Sequence, residues 1–445
     1  MRVGIIGGGI SGLTVAYYLQ KMGVPYDLFE ANEQVGGAMK SVQVKNYLME
    51  MGPNQLKHSP ELEELICEMK LQQEVMEGNP ANSDNYILKQ GKYHKIHGSP
   101  LALLRSNFFS FKTRYRFLQE RYVSKSVRPN ETAEQFFKRR FGRNILHFTT
   151  NILSAGLLTS DPTKLLVSRA FPFLAEYEQK YGSVLKGFVK EKRAKQARFF
   201  TFRNGMQTLP NSIASKLISI HTGERVEMIT RNKGRYIIST TPAAHNISEY
   251  DLLVLALPAH KAADILEFTF PGMSAALQNI TYPPLAVVHS VYPKKEVGLE
   301  LEGAGVYHPV KENQFTSGNI WSSALYQGRC KKDEVLITSY IGGSLHPEYN
   351  RLDREVILEN VHKELSRNFN ITAQKPTFQY LHLWQHALPQ LDLFIEDVHD
   401  MAGILENERV FIAANWFSGL SVSSCIREAK LLAQKIQKLA LRSAA

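Results

Sequence analysis

Three glycines near the amino terminus are spaced for phosphate chemistry. Gly7, Gly9 and Gly12 stand in G-x-G-x-x-G order, after the apolar run Val3 to Ile6 and ahead of Leu13, Ala16 and Leu19, which recur at helical intervals. That pattern belongs to a tight turn between a strand and a helix. The first glycine permits the turn, the second lets main chain approach a pyrophosphate, and the third lets the helix lie close on the strand. Ile10 and Ser11 fall at the helix start, where free N–H groups and the positive dipole end favour an anion. Glu30 closes the next strand-like run, Tyr26 to Phe29, roughly 20 residues past the turn, where a carboxylate can accept ribose hydroxyls. A glycine-rich turn alone serves many loops; with Gly23 as helix stop and Glu30 in register, it reads as a dinucleotide site. Other reactive groupings are missing. Cys67, Cys330 and Cys425 are scattered, which fits a reducing compartment and no disulfide framework. His382 and His386 stand four apart in a strand-like context without the third ligand of a zinc signature, so no metal is expected, and no nucleophile triad is evident.

The elements that must hold such a site are those of a large protein. At 445 residues and 44% hydrophobic, the chain can form two or three domains. The apolar start is broken by three glycines, unlike a signal peptide, and no segment reads as long enough to cross a bilayer. A formal net charge of +11 favours an anionic partner, either acidic lipid headgroups or a carboxylated substrate; no nucleic-acid motif is present and none is expected to bind. In chain order, Glu50, Gly52 and Pro53 follow a polar strand, and Ser59 and Pro60 start a helix whose buried stripe is Leu62, Leu65, Ile66 and Met69. A hairpin runs from Tyr86 to His94, turning at Gln90 and Gly91. Leu101, Leu103, Leu104, Phe108, Phe109 and Phe111 then alternate with Arg105, Lys112, Arg114, Arg116 and Arg121. Two readings compete there: a membrane-surface segment with Leu103, Phe108 and Phe109 facing lipid, or a helical subdomain with its phenylalanines inward. Glu131 to Phe141 reads as a helix, and Asp161 with Pro162 as another helix start. Arg225 to Glu227 and Asp251 to Pro258 read as strands, about Leu277 to His386 as a strand-rich roof over a pocket, Val410 to Ala414 as a strand and Cys425 to Leu441 as a helix.

A second glycine pair, Gly36 and Gly37, just beyond Glu30, tips the nucleotide toward FAD. Further segments follow in order: Gly156, Asp161 and Pro162; Gly182 and Ser183; F-x-x-G-M-x-x-L from Phe202; Gly303, Gly305, Tyr307 and Pro309; Tyr340 before Gly342 and Gly343; W-x-x-A-L-P-Q from Trp384 to Gln390; and Asn415, Gly419, Leu420, Ser421, Val422. Together they resemble the oxygen-dependent, FAD-containing protoporphyrinogen oxidases of the flavin amine oxidase superfamily. The resemblance implies an α/β (α+β) fold: a Rossmann-like FAD-binding domain, a mixed-sheet substrate domain and a helical, membrane-associating subdomain. The implied FAD-binding parts are residues 1–75, 202–272 and 395–445, the substrate parts 76–94, 166–201 and 273–394, and the helical subdomain 95–165.

The resemblance also implies noncovalent FAD held by Gly7, Gly9, Ile10, Ser11, Gly12, Glu30, Gly36, Gly37, Gly52, Pro53, Asn54, Val226, Gly419, Ser421 and Val422. The start of the last helix would favour the anionic reduced flavin. Substrate would meet Gly156, Gly305, Tyr307 and Tyr340, with no catalytic side chain, because the flavin carries the chemistry. The implied activity is oxidation of protoporphyrinogen IX to protoporphyrin IX, or of coproporphyrinogen III to coproporphyrin III, with oxygen as acceptor, in heme biosynthesis. Expected partners are the porphyrinogen, molecular oxygen, an anionic membrane surface and other heme-pathway enzymes, in the cytoplasm at the inner face of the membrane. Two departures stand out: Ala38 occupies a position where many relatives carry arginine, so one phosphate contact must come from backbone or elsewhere, and Asn85 occupies one where relatives often carry arginine, which leaves Lys89, Lys92 or an arginine elsewhere to meet the propionates. Another amine oxidase or a carotenoid desaturase, and a non-catalytic flavoprotein docking module, are the alternatives.

Overall fold

Val3–Ile6 is buried at every residue, as a strand in the middle of a parallel sheet must be. In the computed structural model, which describes residues 1–79, 84–96, 108–126, 128–143, 160–191, 198–242 and 249–444, this strand lies between Tyr26–Glu30 and Leu252–Leu255. Ile220–Thr222 and Val410–Ile412 complete a five-stranded, all-parallel sheet. Helices Ile10–Lys21 and Val422–Ala444 pack against one another and on this sheet through Val15, Leu19, Ile426, Ala429 and Ala433. Strands from four separate parts of the sequence thus make one nucleotide-binding sheet. Its carboxyl ends are where ligands sit in such folds.

A second sheet has seven strands in the order Phe378–Trp384, Leu285–Pro293, Glu334–Gly342, Gly318–Ile320, Gly305–Tyr307, Asn85–Lys89 and Lys92–Ile96. Neighbours are antiparallel except Gly305–Tyr307 beside Asn85–Lys89. One face, with Ala286, Val288, Ile337 and Ile341, is covered by Ile357, Val361, Leu365 and Phe369 of the helix Arg354–Phe369, an element that the strand-rich reading of this region did not anticipate. The other face turns toward the loop after Tyr47–Glu50.

The third part is a helical layer. Phe111–Leu118, Ala133–Phe141, Pro172–Tyr181 and Val184–Lys190 bury Phe117, Phe136, Phe137, Leu174 and Val184 in one cluster. Residues from Val167 to Lys190, expected in the substrate domain, belong to this layer. Arg140 sits at its centre without solvent exposure, donating to Glu120 and to Glu178, while Ser183 Oγ donates to Glu120 at 2.5 Å. Phe108 and Phe109 are buried, edge-to-face at 4.8 Å, so at these two residues the inward-packed of the two readings holds; Leu103 lies outside the described residues. Asp161 and Pro162 do not start a helix. Asp161 Oδ1 accepts from Thr163 N and Oγ1 in a turn, and the helix begins only at Val167.

Ser59 does cap Pro60–Glu68, with Leu62 N donating to its Oγ at 3.3 Å. The hairpin turns at Gln90 and Gly91, both at positive φ.

Arg140→Met is expected to leave the carboxylates of Glu120 and Glu178 buried without their shared partner and to cost about 3–5 kcal/mol. A urea midpoint shift of corresponding size checks this; an unchanged midpoint would mean the cluster is dispensable.

Candidate active site

The turn from Val3–Ile6 into Ile10–Lys21 is shaped by glycines for two different reasons. A Cβ on Gly7 would lie 2.4 Å from Ala256 O, and one on Gly12 would lie 2.0 Å from Gly7 O, so both are required by close main-chain packing. Gly9 is different: nothing lies within 4 Å of its Cβ position. It caps the helix without a side-chain acceptor, so the N–H groups of Ile10 and Ser11 face open space at a positive helix end. Gly36 N donates to Gly8 O at 2.8 Å and bridges Gly9, and a Cβ on Gly37 would stand 3.4 Å from Gly9 Cα. The two glycine pairs are therefore one cradle.

Glu30 ends the neighbouring strand. Its Oε2 accepts from Gly8 N at 2.7 Å, and its Oε1 from Asn32 N and Nδ2 at 2.9 and 2.7 Å. Oε2 retains a lone pair for a ribose hydroxyl. Glu224 N donates to Glu30 O, which brings Val226, two residues on, beside this end of the cradle. A second helix start lies alongside the first. Gly419, at φ +100°, turns the chain, Ser421 Oγ accepts from Ser424 N at 3.0 Å, and the helix runs from Val422 to Ala444. Cys425 in its first turn donates from Sγ to Gly419 O at 3.4 Å, and burial pushes the thiol up to about 11. Two positive helix ends thus converge on one cradle, which fits a dinucleotide with its pyrophosphate.

The Glu50–Asn54 loop joins this cradle to the seven-stranded sheet. Gly52 is glycine because a Cβ would fall 1.9 Å from Ala38 O. Pro53 follows in the same loop. Trp384 Nε1 donates to Met51 O at 2.8 Å, and Asn54 Nδ2 donates to Tyr340 Oη. The Glu50 carboxylate is turned away from the open side. It accepts from Ser41 Oγ at 2.5 Å and from Met206 N at 3.1 Å, and pairs with Arg329 Nη1 at 3.1 Å. Burial pushes the Glu50 carboxyl up, against the pull of Arg329. Arg329 also donates to Thr201 Oγ1 and Phe202 O. One ion pair therefore ties the glycine-pair loop, the F-x-x-G-M segment and the substrate sheet together.

On the sheet itself, Tyr307 pairs with Gly318, and Gly318 with Tyr340, so the two tyrosines share a face with a glycine between them. Burial raises Tyr307 to about 12 and raises Tyr340 as well, so both are neutral phenols. Gly305 lacks a side chain because a Cβ would meet Asn319 O at 2.2 Å, a demand of the neighbouring strand. Gly156 lies outside the described residues, but the far end of its segment is held: Gln390 Oε1 accepts from Asp161 N, and Gln390 Nε2 donates to Asp161 O, each at 3.3 Å. Two segments distant in sequence are thereby adjacent. His382 and His386 do not form a metal pair. His382 lies edge-on to Trp384 and His386 stacks on His260 at 4.2 Å; among the described residues no group of three or more His, Cys, Asp or Glu could hold a metal ion.

The chain belongs to the family of flavin-containing amine oxidoreductases, whose profile matches residues 10–437. It is 27% identical over 466 residues to protoporphyrinogen oxidase 2, chloroplastic/mitochondrial, of Arabidopsis thaliana, covering 96% of this chain and 91% of that one. It is 24% identical over 459 residues to the coproporphyrinogen III oxidase of Bacillus subtilis (strain 168), covering 96% of each. Its fold is similar to that of an Exiguobacterium sp. 255-15 protein assigned as a protoporphyrinogen oxidase, at a TM-score of 0.82, 20% identity and 98% of both chains. The chain is accordingly a flavin-dependent oxidoreductase with FAD as cofactor, and the cradle at Gly9, Gly37, Glu30 and Ser421 fits that cofactor.

Arg329, Ser41 and Gly318 were not singled out from sequence. A glycine between two strand residues offers no signal, and an arginine's partner far along the chain cannot be read from spacing.

Glu30→Ala is expected to raise the Kd for FAD about tenfold or more, through loss of charge-assisted ribose bonds and of the Gly8 contact. Titration of apoprotein followed by flavin fluorescence checks it; an unchanged Kd would place the ribose elsewhere. Arg329→Met should cost about 3–5 kcal/mol, with part recovered in the Arg329→Met, Glu50→Gln double variant. Denaturant midpoints of the four proteins measure both effects.

Proposed function

We propose that this chain oxidises a porphyrinogen to the porphyrin, taking protoporphyrinogen IX or coproporphyrinogen III, in heme biosynthesis with oxygen as the final acceptor. The observation that carries the reading is the meeting of Gln390 with Asp161. The two segments that set porphyrinogen oxidases apart from other flavin oxidases in the sequence are packed together beside the face that bears Tyr307 and Tyr340. The names of the relatives in Arabidopsis and Bacillus support the same substrate class.

FAD, when bound, would supply a two-electron acceptor for hydride. The residues of the chain supply position and dryness. Tyr307 and Tyr340, both neutral and with Gly318 between them, offer a broad apolar face to a flat macrocycle. Tyr340 is fixed by Asn54, and Trp384 fixes Met51, so the substrate face and the cofactor loop keep one spacing. A porphyrinogen gives up pyrrole N–H protons through its own tautomers, so the phenols need only stay neutral, as burial keeps them. Asn85 replaces the family's arginine, and Lys89 donates to Phe108 O, which leaves Lys92, exposed on the next strand, as the nearer candidate for a propionate. The cytoplasm is the proposed compartment, from the three unpaired thiols.

Aerobic incubation with each porphyrinogen should yield the fluorescent porphyrin and hydrogen peroxide; no porphyrin from either would refute the reading. Tyr340→Phe, which removes the hydroxyl held by Asn54, should leave FAD bound and raise KM about threefold to tenfold. Unchanged KM and kcat would place the substrate off this face.

A further inference from the structure

The two edges of the seven-stranded sheet are guarded differently. Lys92–Ile96 at one edge carries Lys92 and Lys95, both exposed, among its five residues. Charge of that kind keeps a free edge from pairing with another chain, because an added strand would have to desolvate it. The edges of the nucleotide-binding sheet, Ile220–Thr222 and Val410–Ile412, are three residues each and too short to hold a further strand well. Arg225–Asn232, at the edge of a three-stranded sheet, holds Arg225, Glu227 and Arg231 and a bulge between Val226 and Met228. Phe378–Trp384, the other edge of the seven-stranded sheet, has none of these devices. It is seven residues long, pairs regularly with Leu285–Pro293, and reads Phe-Gln-Tyr-Leu-His-Leu-Trp, without lysine, arginine, carboxylate, proline or glycine. Among the described residues no strand pairs with its outer side.

The order of its side chains says what would pair there. Phe378, Tyr380, His382 and Trp384 share one face of the sheet, and Gln379, Leu381 and Leu383 the other. About Leu381 the strand is close to a palindrome. Laid antiparallel on a second copy, Phe378 of one chain faces Trp384 of the other, Tyr380 faces His382, and Leu381 faces Leu381. Ring thus meets ring at every pair on one face, and no pair sets like charges together.

We propose that this edge pairs antiparallel with the same edge of a second copy, centred on Leu381, and joins two seven-stranded sheets into one. Such a contact is two-fold and self-complementary. The outward main-chain N–H and C=O groups hold the two strands, and the ring pairs fix the register. An unrelated extended peptide would find the same main-chain groups but not the matched order of rings. The formal net charge of +11 on each chain opposes association at long range, so salt strengthens the dimer. None of this depends on which substrate is oxidised.

The test is sedimentation velocity of the FAD-loaded full chain over a range of concentrations, at low and at high salt. A monomer–dimer equilibrium that tightens as salt rises is expected. Leu383→Lys gives this edge the kind of charge that guards the opposite one, at a side chain already 39% exposed. It should raise the dimer Kd about tenfold or more, while the melting temperature of the dilute protein, flavin content and turnover per flavin stay as in the wild type. Hydrogen exchange locates the contact: in the wild type the amides of 378–384 should exchange more slowly at concentrations where the dimer forms than on dilution, and Leu383→Lys should remove that difference. A wild type that is monomeric at every concentration and salt would overturn the proposal. So would a dimer that Leu383→Lys leaves intact and that gives 378–384 no added protection, since that outcome assigns association to another surface.

Discussion

The buried pair of Glu50 and Arg329 is the joint on which the rest of this molecule depends. An ion pair out of water is an expensive connection, tolerable only when every remaining donor and acceptor is satisfied. Here Ser41 Oγ and Met206 N donate to Glu50 and Arg329 Nη2 donates to Thr201 Oγ1 and Phe202 O, while Arg329 Nη1 meets Glu50 as an ion pair without a further hydrogen bond. The pair and its partners come from three segments, around Glu50, Phe202 and Arg329, so it holds together pieces that the sequence keeps far apart. Directly beyond Glu50 the loop runs under Trp384 and Tyr340. The distance from nucleotide cradle to substrate face is therefore set by one charged contact and two hydrogen bonds, on elements that are themselves rigid.

That arrangement suits a flavin oxidase better than it would suit an enzyme working with its own acids and bases. Burial keeps Tyr307 and Tyr340 neutral, and the sheet face between them is opened by Gly318. The buried charges in the neighbourhood, Glu50 and Arg329, are turned on each other, and the helix starts at Ile10 and Val422 offer dipole ends rather than charged side chains. What remains for the substrate is shape and fixed separation, the terms from which orientation contributes most to a hydride transfer.

How much of this could be read from sequence follows the range of the contacts. The nucleotide cradle was legible because it is local: Gly7, Gly9, Gly12 and Glu30 belong to one strand–helix–strand unit, and their spacing states their geometry. Family likeness correctly drew attention to Asp161 and Gln390, although nothing in either segment says that they touch. Phe108 and Phe109 left two readings open because a basic, aromatic stretch looks alike whether its rings face a core or a membrane. The structure sorts it, with Phe108, Phe109 and Phe117 inside and Phe111, Tyr115, Leu118 and Tyr122 outside. Asp161 and Pro162 looked like a helix start, but the side chain of Asp161 is spent on Thr163 in a turn. Gly305 looked like a ligand contact, yet its missing side chain makes room for Asn319 O. Arg329 gave no signal at all, since its meaning lies wholly in partners that only the fold supplies.

The most direct measurement is anaerobic mixing of the FAD-loaded protein with a porphyrinogen, followed at the flavin absorbance. Bleaching of the oxidised flavin band by protoporphyrinogen IX or coproporphyrinogen III, with recovery on admission of oxygen and no bleaching by a simple diamine such as putrescine, is the predicted result. Bleaching by the diamine alone, or by none of the three, would contradict the account.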